Sequence, residues 1–374
     1  MHIGITTRFN YRFFSNGLYQ NIILLYEILE SAGHKVFYID FCDDSAKMVD
    51  TNFEKECLTN KNIISYKDLT PIKHHFDLIC TPGIACNPEH KEKYKKISPN
   101  CKIVSIHYGN TLVTDICNHL CEAKNKGNWG IEPDEKYHDA ALFSPHYKFQ
   151  EQYLQINQSE RTFEIPYLWD EKFIIGSARE LGIECLKFKP QKQNNIAVTE
   201  PNINFSKTFI PPLFTIKHLL EHDPETFNKA IFFGTDKIIK QKDNLFKSRI
   251  LGDRVLKKHI KKMIFDPREL VAKIFDRDNP IFLSHQHLNA LNYTYLEAAY
   301  FGYPLIHNSE FIKDFGYYYE EFNMIDAAEQ IKIANSIHAD YLENQISKGR
   351  ELCWDYSIKN PEVIKATSDL FEKI

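Results

Sequence analysis

The 374-residue sequence contains no run of about eighteen apolar residues, so no membrane-spanning helix is expected. It opens on Met1-His2-Ile3-Gly4-Ile5-Thr6, a strand pattern without a secretory leader, and a soluble, cytoplasmic protein is expected. There is no G-x-G-x-x-G, which speaks against an NAD or FAD fingerprint. The 9 cysteines are scattered and include no C-x-x-C pair, the pattern of reduced thiols rather than a disulfide framework. Cys117, His119 and Cys121 match no zinc spacing and read as ordinary helix residues, so no metal is expected. Charge is balanced, with Lys plus Arg at 46 against 50 for Asp plus Glu and a net charge of -4. No global basic field therefore argues for nucleic acid or an anionic membrane as partner. Repeats and low-complexity tracts are absent too.

What is present is length for two domains, with 43% hydrophobic residues to fill two cores. The most informative stretch is residues 280–309. Pro280-Ile281-Phe282-Leu283-Ser284 reads as a buried parallel strand that ends in polar residues. A polar loop follows, then a helix over 291–301 with Asn289 or Asn292 as its cap and Gly302 and Pro304 as its stop. Tyr303-Pro304-Leu305-Ile306-His307 is the next strand. Ligands of such sheets lie outside the carboxyl ends of the strands, where helix N-termini offer N–H groups to an anion. Glu297 is the only charge in that helix.

Glu297-Ala298-Ala299-Tyr300-Phe301-Gly302-Tyr303-Pro304-Leu305-Ile306 resembles the E-A-x-x-x-G-x-P-[LVI]-[IV] signature of GT-B glycosyltransferases, which have two Rossmann-like halves. More closely, Ser284-His285-Gln286, Leu291-Asn292-Tyr293 and Leu305-Ile306-His307-Asn308-Ser309 resemble an uncharacterised bacterial family placed near these transferases. The resemblance implies that Glu297 accepts hydrogen bonds from the donor's ribose, beside His285, Gln286, Asn289, Asn292 and Tyr293, with the pyrophosphate at the helix N-terminus. Where the usual pattern has a second Glu, this chain has Asn289.

The opening strand, the Gly17-bearing loop, a helix over 18–32 and the strand Lys35-Val36-Phe37-Tyr38-Ile39-Asp40 begin a Rossmann-like domain. By resemblance Gly17 approaches the pyrophosphate; as a plain residue it permits the turn. Further strands are expected at 76–81, with Pro82-Gly83 as the turn, and at 102–107, which ends in His107. A histidine at that strand end suits a donor-sugar or acceptor contact and proton transfer, or is structural. His138-Asp139-Ala140-Ala141-Leu142-Phe143-Ser144-Pro145-His146 resembles the last strand of the first GT-B domain, with a helix over 147–154, and Phe163-Glu164-Ile165-Pro166-Tyr167-Leu168-Trp169-Asp170 resembles the crossing between domains. The second half restarts at Asn195-Ile196-Ala197-Val198-Thr199, and its loop Glu200-Pro201-Asn202-Ile203-Asn204-Phe205-Ser206-Lys207 precedes a helix over 212–221. By resemblance that loop contacts the donor through Glu200, Asn202 and Lys207, and Lys207 takes the charge of the leaving diphosphate. The basic segment 244–262 reads as a solvated face or a phosphate contact, Arg268 as a contact near the donor base, and Phe315-Gly316-Tyr317-Tyr318-Tyr319 as stacking surface or core.

The expected fold is α/β, two Rossmann-like domains facing across a cleft: an acceptor domain over 1–165, a donor domain over 166–350, and a C-terminal helix over 351–374 that crosses back, with Trp354 as its anchor. The expected function is a metal-independent glycosyltransferase acting in glycan synthesis, with His107 and Lys207 as catalytic residues, no cofactor and a nucleotide-sugar as co-substrate. A glycan or other hydroxyl compound is the acceptor. An epimerase or phosphorylase, a transferase on modified DNA bases and an inactive GT-B-like scaffold are the alternatives.

Overall fold

The computed structural model describes residues 1–9, 17–42, 51–82, 84, 86–120, 138–240, 252–336 and 339–374. The chain forms two compact units, Met1–Phe173 with Trp354–Ile374, and Ile174–Cys353. The division falls after Phe173, beyond the Pro166 landmark.

The first unit contains strands β1 (His2–Thr7), β2 (Lys35–Asp40), β3 (Ile63–Ser65), β4 (Leu78–Thr81), β5 (Lys102–His107), β6 (Ala140–Phe143) and β7 (Thr162–Glu164). They make a parallel sheet in the order β3-β2-β1-β4-β5-β6-β7. β4 and β6 are buried along their whole length, because crossover helices cover both faces of a parallel sheet. The helix Gly17–Ser31 buries Ile22, Leu25, Ile28 and Leu29 as its spacing predicts, and Ile23, Leu24 and Tyr26 as well. Its outer side is covered by the returning helix Pro361–Lys373.

Trp169, rather than Trp354, pins that return. The Trp169 backbone N–H donates to the Tyr356 carbonyl at 2.8 Å, and Trp169 bridges to Ser357. Lys359 pairs with Asp170 at 3.1 Å and with Glu171 at 2.7 Å. Trp169 is 3% exposed, whereas Trp354, at the end of the helix Ala339–Trp354, is 48% exposed.

The second unit contains β8 (Ile196–Val198), β9 (Ala230–Phe233), β10 (Met263–Asp266), β11 (Ile281–Leu283), β12 (Leu305–His307) and β13 (Tyr317–Tyr318). Their order is β10-β9-β8-β11-β12-β13, again parallel. In both sheets the opening strand lies inside and the winding reverses beside it, at β1/β4 and at β8/β11. Loops leaving such a pair diverge and leave room for a ligand at the carboxyl ends. The aromatic run proves to be core: Phe315, Tyr317 and Tyr319 are all buried around β13.

Among the described basic residues, Lys257, Lys258 and Lys261 are solvated, while Lys262 Nζ donates to the Pro224 carbonyl and, at 3.1 Å, to the Phe227 carbonyl. Arg254 is exposed as well, and residues 244–251, with Arg249, lie outside the described residues. No helix among the described residues is long and apolar enough to cross a membrane.

The helix Tyr293–Tyr300 is held by the helix Ala339–Trp354 at very short range, since a Cβ on Gly349 would stand 2.0 Å from the Ala299 carbonyl oxygen. A side chain there forces the helices apart. Gly349→Ala is expected to cost about 1–3 kcal/mol, read as a lower thermal midpoint. Lys348→Ala, on the exposed neighbouring position, leaves the midpoint unchanged.

Candidate functional site

β8 ends at Val198, and the chain then turns through residues 199–209 into the helix Ile210–His222, whose first turn holds Pro211 and Pro212. Proline is tolerated there because those N–H groups have no helical partner. Asn202 takes a left-handed φ of 55° and ties the loop together. Its Nδ2 donates to the Glu200 carbonyl at 2.7 Å and the Phe233 carbonyl at 3.3 Å, and its Oδ1 accepts the Phe209 N–H at 2.8 Å. Asn202 therefore has a positioning role, its amide committed to its own loop.

What Asn202 positions is Glu200, buried between the ends of β8 and β11. Ser284 Oγ donates to Glu200 Oε1, and the His285 backbone N–H bonds the same carboxylate. Tyr295 OH lies 2.9 Å from Ser284 Oγ; with the serine proton given to Glu200, the tyrosine donates. Burial pushes the Glu200 carboxyl up to about 7, against the Ser284 hydrogen bond, the charge of Lys207 and the His285 N–H. Lys207 is half-buried, and neither a hydrogen bond nor an ion pair engages its ammonium among the described residues. Burial lowers its pKa, Glu200 opposes that, and the Arg268 charge adds to the lowering. One carboxylate and two cations therefore act on one another at the switch point of the second sheet.

Beyond β11, Gln286 is a latch. Its N–H donates to Asn308 Oδ1 at 2.8 Å, its Nε2 donates to the Asn308 carbonyl at 3.2 Å, and its Oε1 accepts the Asn289 N–H at 3.0 Å. Asn292 is the cap of the helix Tyr293–Tyr300, Oδ1 accepting the Tyr295 N–H at 3.1 Å. That settles the choice of cap between Asn289 and Asn292. Gln286 and Asn292 spend these groups on the loop, while Asn289 is buried and Tyr293 half-buried.

Glu297 differs from all of these. It is 7% exposed, its carboxylate has no hydrogen bond or ion pair among the described residues, and burial alone pushes that carboxyl up to about 7. A buried carboxylate without a donor is costly, and a ligand carrying hydroxyl donors relieves that cost.

The other two expected site residues lie in the first unit. Gly17 begins the helix Gly17–Ser31, and its carbonyl accepts Asn21 Nδ2 at 2.9 Å; the loop before it lies outside the described residues, as do Gly83 and Cys121. His107 ends β5 with Nδ1 at 3.0 Å from Thr111 Oγ1 and Nε2 at 3.2 Å from Ser105 Oγ. Burial, then the charge of His138, lowers it to about 3. A neutral imidazole held by two hydroxyls suits the hydrogen-bonding contact among its expected roles. Cys117 and His119 lie in the helix Thr111–Leu120, and His119 Nδ1 is 2.8 Å from the Asp115 carbonyl oxygen. No group of three or more His, Cys, Asp and Glu among the described residues is placed to hold a metal ion.

A family model described as "Protein of unknown function (DUF2827)" matches residues 3–371. The chain belongs to that family. No curated protein matches it. Among solved structures it is similar over its full length to sucrose-phosphate synthase from Thermosynechococcus elongatus, with 13% identity, 100% of this chain and 98% of that chain covered, and a TM-score of 0.56. It is similar to the N-terminal domain of Candida albicans trehalose-6-phosphate phosphatase at 12% identity, with 99% and 96% covered and a TM-score of 0.59. Trehalose-6-phosphate synthase matches at 11% identity, with 100% and 99% covered and a TM-score of 0.57. The fold of this family member is that of GT-B glycosyltransferases, two parallel-sheet α/β domains.

Sequence reasoning missed Ser284 and Tyr295 as partners of Glu200. The only signal was the polar residue that closes the apolar strand run Ile281-Phe282-Leu283.

Proposed function

We propose that the protein transfers a glycosyl group from a nucleotide-sugar to an acceptor hydroxyl. The observation that carries this reading is Glu297, a buried carboxylate with no partner among the described residues, on the helix that follows the switch-point strand. A ribose diol supplies the two donors it lacks. Lys207, with Arg268 nearby, supplies positive charge for the diphosphate. As the bond from the anomeric carbon to the phosphate oxygen breaks, its electron pair passes to the diphosphate, and the charge that builds there is stabilised by Lys207; the acceptor oxygen bonds the carbon in its place and its hydroxyl proton passes to the departing diphosphate. This division of labour requires no metal. The fold supports the reading, and the trehalose-6-phosphate synthase neighbour is described in terms of enzymatic glycosyltransfer with retention.

The test is a thermal-shift and calorimetric panel of UDP, GDP, ADP and dTDP with their hexose esters. One nucleotide series is expected to raise the midpoint of the wild type and to do so far less in Glu297→Gln. Absence of a shift with every nucleotide would overturn the reading.

A further inference from the structure

His285 follows β11 directly and is 3% exposed. Its Nδ1 lies 3.1 Å from the Tyr319 hydroxyl, and that hydroxyl donates to the Ser284 carbonyl at 3.0 Å. A phenol has one proton. With that proton given to Ser284, the Tyr319 oxygen is left to accept, so His285 Nδ1 carries the hydrogen of the neutral ring. Nε2 is then a bare lone pair, buried and without a hydrogen-bond partner among the described residues. An unsatisfied buried acceptor costs free energy unless something donates to it. Tyr319 is itself buried beside β13, with its ring nearly parallel to the imidazole, so the tautomer and the ring orientation are both held by the core.

We infer that His285 reads the transferred sugar: Tyr319 fixes the imidazole with Nδ1 protonated, and Nε2 accepts a hydrogen bond from a sugar hydroxyl of the bound nucleotide-sugar. The inference rests on the nucleotide-sugar reading and extends it from the nucleotide to the sugar. The position of His285 assigns it that end of the ligand. Its backbone N–H bonds Glu200, which interacts with Lys207, so His285 belongs to the diphosphate side of the site. Glu297 feels neither of those charges and marks the ribose side. Along a nucleotide-sugar, what lies past the diphosphate from the ribose is the sugar. Phe322 lies against the imidazole, with ring centroids 4.5 Å apart, and is 51% exposed. It is a surface ring on the solvent side of His285. Burial, then the charge of His287, holds His285 down to about 4, which keeps Nε2 unprotonated through the neutral range.

The test compares, for whichever of UDP, GDP, ADP and dTDP binds, the affinity of the diphosphate with that of its glucose and galactose esters. In the wild type at least one ester is expected to bind about fivefold to tenfold more tightly than the diphosphate, the worth of one buried hydrogen bond. His285→Phe, with His285→Gln as the milder variant, is expected to erase that increment and to leave the affinity for the diphosphate unchanged. Tyr319→Phe removes the acceptor that fixes the tautomer and is expected to reduce the increment in the same way. In 15N-histidine spectra the signal that disappears in His285→Gln is expected to show the Nδ1-protonated neutral ring at pH 6, and to shift on adding the ester but not the diphosphate. Equal losses for diphosphate and ester, an increment that survives His285→Phe, or the opposite tautomer would overturn the assignment while leaving nucleotide binding intact. Failure of every nucleotide and ester to bind the wild type would instead remove the nucleotide reading and this assignment with it.

Discussion

Lys207→Ala is expected to lower glycosyl transfer about a hundredfold to a thousandfold, the range seen when one group stabilising transition-state charge is removed. No hydrogen bond or ion pair engages the ammonium among the described residues, and the charges of Glu200 and Arg268 act on it with opposite signs. Its charge is therefore free to act on a ligand. Because the diphosphate gains charge as the glycosidic bond breaks, the loss falls mainly on kcat and less on KM. Lys207→Arg keeps the charge and is expected to recover part of the rate. Diphosphate release from the bound donor is the measurement, and a kcat within about threefold of the wild type rules Lys207 out as the residue that stabilises the leaving group.

The second large effect comes from Glu297, and it has opposite signs in the two assays. Glu297→Gln removes the carboxylate proposed to accept from two ribose hydroxyls, so affinity for the nucleotide is expected to fall roughly tenfold to a hundredfold. The unliganded variant, however, is expected to be more stable than the wild type at pH 8. Burial raises the Glu297 carboxyl from its ordinary 4.5 to about 7 in the fold. A group raised in this way contributes stability that is fully present below its unfolded pKa and is lost as pH rises through its folded pKa. The wild type is therefore expected to lose roughly 3 kcal/mol from this one group between about pH 4.5 and pH 8. The glutamine variant lacks that component. Glu200, raised to about 7 mainly by burial, keeps a residual slope of the same sign in both proteins. Ribose hydroxyls favour the ionised carboxylate, so wild-type affinity climbs as pH passes through 7 and that of the variant does not. Urea titrations at pH 5 and pH 8, with and without nucleotide, read both effects. A variant less stable than the wild type at pH 8 would mean that Glu297 has a partner in the fold.

Much of this architecture was legible in the amino-acid order. Val, Ile, Leu and Phe runs such as Ala230-Ile231-Phe232-Phe233 can be buried on both faces only within a parallel sheet, and Gly302 with Pro304 closes the helix that carries Glu297. Lys207 was singled out by its resemblance to the basic residue of the GT-B loop, between a strand and a proline-started helix. The roles of Asn202, Gln286 and Asn292 were not legible, because an amide that satisfies backbone groups looks the same in sequence as one that waits for a ligand. Trp354 and Trp169 differ in burial, which sequence does not record, and only the packing selects Trp169 as the anchor.

Local chemistry thus set the strands, the helix stops and the presence of a lone carboxylate in an apolar helix. The pairing of Glu200 with Ser284, and the pinning of His285 by Tyr319, depended on β8, β11 and β13 lying in register within one sheet. Hydrogen bonds between residues far apart in the chain have no local signature; they exist only once the order of the strands places the carboxyl ends together.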